Sequence, residues 1–117
     1  MAVVDDDESV RESLSDLLVQ LGFAVQVFAS AEEFLASLDV AQTRCLILDI
    51  AMPGMSGLEL QDELRTRRLD IPIVFITGQG DEAIRPRMME RGAVDVLAKP
   101  FSEAALLQAV NAALWIG

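Results

Sequence analysis

The stretch Cys45-Leu46-Ile47-Leu48-Asp49-Ile50-Ala51-Met52-Pro53-Gly54-Met55-Ser56-Gly57 decides how this chain folds. Residues 45–48 are an unbroken apolar run, which reads as a strand buried on both faces. The run leads into a carboxylate and then into a turn marked by Pro53, Gly54 and Gly57. Asp49 is therefore delivered at the carboxyl end of a central strand. In an open α/β sheet that edge is where ligands bind, because the loops that follow splay apart and leave a crevice. The ordinary use of such an Asp is to cap its turn. Capping alone does not account for it, because the rest of the chain sends other polar residues to the same edge.

Upstream, Ala2, Val3 and Val4 form a short apolar strand that ends in Asp5, Asp6 and Asp7. Val10, Leu14, Leu17, Leu18 and Leu21 then recur at helical spacing until Gly22 stops them. Residues 23–28 read as a second strand. Ser30 and Glu33 have the form of a capping box opening a short helix through Phe34, Leu35 and Leu38, and residues 39–44 form a polar connection to the central strand.

Downstream, Ser56 and Glu59 form another capping box, and Leu58, Leu60 and Leu64 carry a helix to Arg65, Arg67 and Arg68, which suit the negative end of its dipole. Pro72 introduces a fourth strand, residues 73–76, which delivers Thr77. Residues 78–81 form a loop with two glycines that can change shape cheaply. Pro86 lies inside the next helical segment, so regular helix is expected to begin near it, after irregular residues, and to end at Gly92. Residues 94–97 form the fifth strand and lead to Lys99 and Pro100. Ser102 caps a last helix with Leu106, Leu107, Val110 and Leu114 on its apolar face, and the exposed-looking Trp115 and Ile116 predict that the native chain continues past Gly117.

Strand and helix thus alternate five times, which predicts one doubly wound parallel α/β sheet with helices on both faces and right-handed crossovers. Such crossovers return every strand end to one edge, so Asp5, Asp6, Asp49, Thr77 and Lys99 are expected in one crevice.

Composition narrows the chemistry. A length of 117 residues with 52% hydrophobic content fits one globular domain. No apolar run approaches bilayer-spanning length, and the first residues lack the basic start and long apolar core of a signal peptide, so a cytoplasmic location is expected. Cys45 is the only cysteine, which excludes internal disulfides, and its apolar neighbours mark a core thiol. A formal charge of −10 repels nucleic acid and anionic membranes, so any DNA binding belongs to another domain. The absence of histidine removes imidazole acid/base catalysis, a Ser-His-Asp triad and imidazole zinc sites.

Clustered carboxylates repel one another, and the simplest remedy is a bound cation. The available ligands are oxygens: Asp5 or Asp6, Asp49, and carbonyls of the loop after it. That set suits Mg2+, with Mn2+ as the substitute it accepts. Asp7 and Glu8 instead sit where a helix N-terminus welcomes anions. Lys99 is the chain's only lysine, and at a strand end facing acids its fixed charge can neutralise a phosphoryl group. Thr77 offers a hydroxyl to the same oxygens. These are the parts needed to transfer a phosphoryl group to Asp49 as nucleophile.

The chain resembles two-component response-regulator receiver domains over essentially all of its length. The resemblance is carried by residues 3–7 (VVDDD), 48–57 (LDIAMPGMSG), 76–78 (ITG) and 98–101 (AKPF), each at a strand end and in order. It implies a flavodoxin-like sheet in the order 2-1-3-4-5, with Asp49 as phosphoacceptor and Asp5 and Asp6 as the acidic pair holding Mg2+. The Ala51 backbone carbonyl is a further metal ligand, Thr77 the switch hydroxyl, and Lys99 the phosphate partner with a cis bond before Pro100. It implies a sensor histidine kinase as donor and a domain that is a phosphoacceptor, not an enzyme with an external substrate. Residues 77–81 look most like receivers of the nitrogen-fixation regulator group, which carry a helix-turn-helix output domain. Any homodimer formed on phosphorylation is placed by resemblance on the face of the fourth and fifth helices.

One position departs from the family. Receivers usually have an aromatic residue three positions before the lysine, where this chain has Val96, so the switch is expected to rely on Thr77, the glycine loop and displacement of the helix near Pro86. Ala51 has no group to orient an attacking water, which leaves Gln79 nearby. The alternative reading is an aspartyl-nucleophile phosphohydrolase of the haloacid-dehalogenase type, but such enzymes want an acid where Ala51 stands, and the chain is short for a substrate cap. A flavodoxin-like cofactor binder is the third reading, and no hydroxyl-rich phosphate loop follows the first strand to support it.

Overall fold

The computed structural model describes residues 1–38, 40–78 and 82–116, the side chains of Glu82 and Ile116 excepted. Its elements are β1 (Ala2–Val4), α1 (Glu8–Gln20), β2 (Gln26–Phe28), α2 (Ala31–Ala36), β3 (Leu46–Asp49), α3 (Gly57–Thr66), β4 (Ile73–Thr77), α4 (Arg85–Glu90), β5 (Asp95–Ala98) and α5 (Glu103–Ile116), with short 3-10 turns at Val40–Gln42 and Glu82–Ile84. The five strands form one parallel sheet in the order β2-β1-β3-β4-β5, as expected.

The unbroken apolar character of the central strands has a direct cause, since each contributes alternate residues to two cores. Val3, Ile47, Val74, Ile76 and Leu97 face α1 and α5, where they meet Leu14, Leu18, Leu106, Val110 and Ala113. Val4, Leu46, Leu48, Phe75 and Val96 face the other way onto Phe34, Leu60, Leu64 and Met88. Cys45 is fully buried, and burial pushes its thiol up to about 11, as expected of a core cysteine.

Helix ends obey local chemistry. Asp7 caps α1 by accepting from the Ser9 and Val10 N–H groups at 2.8 and 3.4 Å, and Ser56 and Glu59 form a complete capping box on α3. Ser30 accepts from Glu33 N–H at 3.1 Å, but the Glu33 carboxylate reaches back to Ala29 N–H instead of Ser30. Pro86 occupies the first turn of α4, where its missing N–H costs nothing, and a 3-10 turn precedes it, as the proline predicted.

Several boundaries, and one helix face, differ from expectation. β2 starts at Gln26 because Phe23 N–H is used at 3.0 Å on the Leu18 carbonyl to close the end of α1, and ladder pairing begins only when Gln26 N–H reaches the Met1 carbonyl. α2 stops at Ala36, with Ser37 extended, so Leu38 leaves the helical period and is 99% exposed. On α5 the buried face is Leu106, Ala109, Val110 and Ala113, while Leu107 lies at its margin. β3 and β5 each run one residue later than expected, and β4 extends one residue further, through Thr77. The loop expected at residues 78–81 is described only at Gly78. Among the described residues no helix is long and apolar enough to cross a membrane.

Candidate functional site

Parallel register brings the strand ends together. Asp49 closes β3 opposite Ile76, one residue before Thr77, and Thr77 pairs with Ala98, one residue before Lys99. Lys99 N–H donates to the Thr77 carbonyl at 2.8 Å, so the lysine leaves the sheet beside the threonine. The Lys99–Pro100 peptide is cis. On the other side of β3, Asp5 and Asp6 follow β1, and one carboxylate oxygen each from Asp5, Asp6 and Asp49 lie within 4.8 Å of one another.

These groups differ in surroundings. Asp5 is 1% exposed, and its Oδ1 accepts from Asp7 N–H at 2.9 Å. Its Oδ2 is buried without a hydrogen bond and meets the Lys99 Nζ only as an ion pair at 3.5 Å. Asp6 is exposed. Asp49 is 8% exposed, with Oδ1 accepting from Ala51 N–H at 3.3 Å. Burial, and then the charge of Asp5, raise its carboxyl to about 6 against the opposing effects of Lys99 and the Ala51 N–H. The Thr77 hydroxyl is buried and has no hydrogen-bond partner.

An ion-paired oxygen without a hydrogen bond, a raised carboxyl and an orphaned hydroxyl at one rim mark a site built for charge it does not itself contain. An all-oxygen donor set converging within 4.8 Å suits a hard cation. The residues present therefore fit a divalent metal.

Some supports escaped the sequence. Arg11 Nη1 donates to the Asp5 carbonyl at 2.8 Å and fixes the end of β1, but nothing distinguishes it from the other arginines of the chain. Gly57 looks like a turn glycine, yet a Cβ there would lie 2.6 Å from the Asp49 carbonyl oxygen. Its N–H also donates to the Ile50 carbonyl at 3.0 Å, which folds the loop after Asp49 back on itself. Gln79 lies outside the described residues, as do Gly80 and Asp81.

A parallel sheet that gathers an aspartate, an acidic pair, a threonine and a lysine at one edge defines a class of aspartate-centred signalling domains. Residues 1–111 match the family of response regulator receiver domains, and the chain belongs to it. It is 50% identical over 111 residues to nodulation protein W of Bradyrhizobium diazoefficiens, covering 95% of this chain and 49% of that protein. It is 44% identical over 112 residues to the transcriptional regulatory protein FixJ of Azorhizobium caulinodans, covering 96% of this chain and 53% of that protein. The crystal structure of FixJ-N superposes with a TM-score of 0.88 at 40% identity, covering 97% of this chain and 91% of that one. These likenesses agree with the expected nitrogen-fixation regulator group. The chain spans about half the length of the curated relatives it matches. It is a receiver domain of two-component signal transduction, and its relatives are transcriptional regulators.

Proposed function

We propose that Asp49 accepts a phosphoryl group from the phosphohistidine of a sensor histidine kinase, in a Mg2+-dependent reaction that switches the domain. The observation that carries this reading is the convergence at one rim of Asp49, Lys99 and an Asp5 Oδ2 that is ion-paired but makes no hydrogen bond, with the Thr77 hydroxyl unspent on the next strand. In the transfer, Asp49 Oδ2 attacks phosphorus, because Oδ1 is engaged by the Ala51 N–H. An O–P bond forms and the P–N bond breaks. Its electron pair returns to the imidazole nitrogen, and because the other ring nitrogen of the phosphohistidine carries the proton, the donor leaves as neutral imidazole. The Lys99 ammonium faces the negative charge that builds on the phosphoryl oxygens, and the Thr77 hydroxyl donates to one of them.

Asp5, Asp6, Asp49 and the Ala51 carbonyl are the residues that would hold the metal, Mg2+ or Mn2+. When bound, the cation keeps Asp49 ionised and offsets charge on the incoming group. Residues 1–117 then serve as the phosphoacceptor part of a longer cytoplasmic regulator whose output domain acts in transcription. Pairing on phosphorylation, where it occurs, uses the α4 and α5 face. With Val96 in place of a ring, the switch runs through Thr77 and α4. Replacing Ala51 with Asn changes the dephosphorylation rate, since it puts a polar side chain beside the acyl phosphate. The haloacid-dehalogenase reading loses its support, because Ala51 supplies no second acid.

Incubation with Mg2+ and acetyl phosphate followed by intact mass tests the chemistry. The native chain gains one acid-stable, base-labile phosphoryl group, and Asp49→Asn gains none. Equal labelling of both chains refutes the assignment.

A further inference from the structure

Helix α4 is short, and its first residue is not capped by a side chain, since Ile84 offers none. Its two ends are held by arginines of different character. At its start, the Arg85 Nη1 donates to the Asp95 Oδ1 and to the Val96 carbonyl, both at 2.8 Å. The same Asp95 Oδ1 accepts from Val96 N–H at 2.8 Å. Guanidinium, carboxylate and the Val96 peptide thus close a ring on the edge strand β5, beside which no further strand pairs among the described residues. At the far end, just past α4, Arg91 Nε donates to the Gln61 Oε1 at 3.2 Å while the Gln61 Nε2 donates to the Arg91 carbonyl at 3.0 Å, and Arg91 also pairs with Asp62.

The two attachments differ in exposure. Gln61 is 4% exposed on α3, and Met88 between the two ends is fully buried. The Arg85 side chain, by contrast, is 49% exposed. A half-exposed ion pair is weakly held, whereas breaking a buried reciprocal amide contact strands polar groups away from water. The start of α4 is therefore the end that lets go.

We propose that Arg85 is a releasable clasp holding the first turn of α4 to β5, and that the Gln61–Arg91 pair is the fixed end on which the helix swings when the clasp opens. Resting on the reading of Asp49 as phosphoacceptor, this makes Arg85 a positioning residue that sets how readily the phosphorylated arrangement forms. Thr77 pairs with Ala98 on β5, two residues beyond the Val96 carbonyl that Arg85 holds. Movement of the Thr77 end of β4 toward a new phosphoryl oxygen therefore reaches the clasp through the β4–β5 ladder. A clasp that must open before the competent state forms lowers the apparent reactivity by the closed fraction, and removing it restores that factor.

The test compares the native 117-residue chain with Arg85→Ala, Arg85→Lys, Gln61→Ala and Asp49→Asn. Without phosphodonor, Arg85→Ala speeds amide exchange at Val96 and in the first turn of α4 about fivefold, the size expected for a half-exposed ion pair, and leaves β3 and α3 unchanged. Gln61→Ala instead loosens residues 91–93. With Mg2+ and acetyl phosphate, Arg85→Ala is phosphorylated about fivefold faster than the native chain, Arg85→Lys falls between them, and Gln61→Ala gains nothing. The sign is diagnostic, because removing a cation from an acidic protein by itself slows attack by an anionic donor. Exchange that rises across the whole chain, or phosphorylation of Arg85→Ala no faster than native while Asp49→Asn stays blank, overturns the clasp and leaves the Asp49 reading standing. A native chain that takes up no phosphoryl group, or an Asp49→Asn chain that takes up as much, overturns both.

Discussion

Asp49 binds its proton more tightly in the folded chain than in the unfolded one, because burial and the neighbouring Asp5 raise its carboxyl from 3.8 to about 6. Between these values the folded state carries more protons, so stability falls as pH rises through the window. The cost is absent below about pH 4 and complete above about pH 6. Asp49→Asn removes it. In chelator at pH 7 that variant is expected to be about 2–3 kcal/mol more stable than the native chain. Its advantage shrinks as pH drops below about 6 and also when Mg2+ is added, as denaturant midpoints across pH will show. An advantage that is constant with pH rules out Asp49 as its source. Gly57→Ala acts on the same site through backbone: a Cβ 2.6 Å from the Asp49 carbonyl oxygen forces the loop after Asp49 to shift. The expected cost is about 1–3 kcal/mol, with weaker Mg2+ binding by titration calorimetry, and native values for both quantities contradict this account. The five side chains of the rim could be read in advance because right-handed crossovers place all strand ends on one side. Arg11, Arg85 and the clearance at Gly57 could not, since each depends on how closely two distant segments approach.

Among the elements, three helices end in the same way. Residues Gly22, Arg68 and Gly92 take positive φ of 97°, 58° and 96° just past α1, α3 and α4. In each case the next residue's N–H reaches back to a carbonyl in the last turn: Phe23 to Leu18, Leu69 to Leu64, and Ala93 to Met88. Two of these ends were legible because glycine announces them. The third was not, because an arginine occupies a left-handed position that its Cβ disfavours. Arg68→Gly relieves that strain at some cost in unfolded-state entropy, and the net expectation is about 0.5–1 kcal/mol of added stability. Urea denaturation measures it, and a loss of stability shows that the Arg68 side chain makes a contact worth more than the strain. The same logic explains the misplaced start of β2 and the exposed Leu38. Hydrophobic pattern marks where a segment buries its side chains, but the backbone N–H groups at its ends choose between helix closure and the ladder.

Over β1, β3 and β4 the sheet is sealed on both faces, and Cys45 reports on that seal. It is fully buried immediately before the central strand β3, and burial raises its thiol to about 11. A thiol reagent needs the thiolate and a path to it, so alkylation at pH 8 must wait for an opening that breaches the core. The labelling rate of Cys45 is therefore expected to follow global unfolding and to match the opening constant obtained from denaturant curves. A ligand that binds only the folded state suppresses this opening by the factor 1 + [L]/Kd. Mg2+ at ten times its dissociation constant then slows labelling about elevenfold. In Asp49→Asn, where one of the three clustered acids is lost, the same concentration slows it less. Labelling that outpaces unfolding, or that ignores Mg2+ in the native chain, reveals a local route to β3 and breaks the link between the acidic rim and the stability of the sheet beneath it.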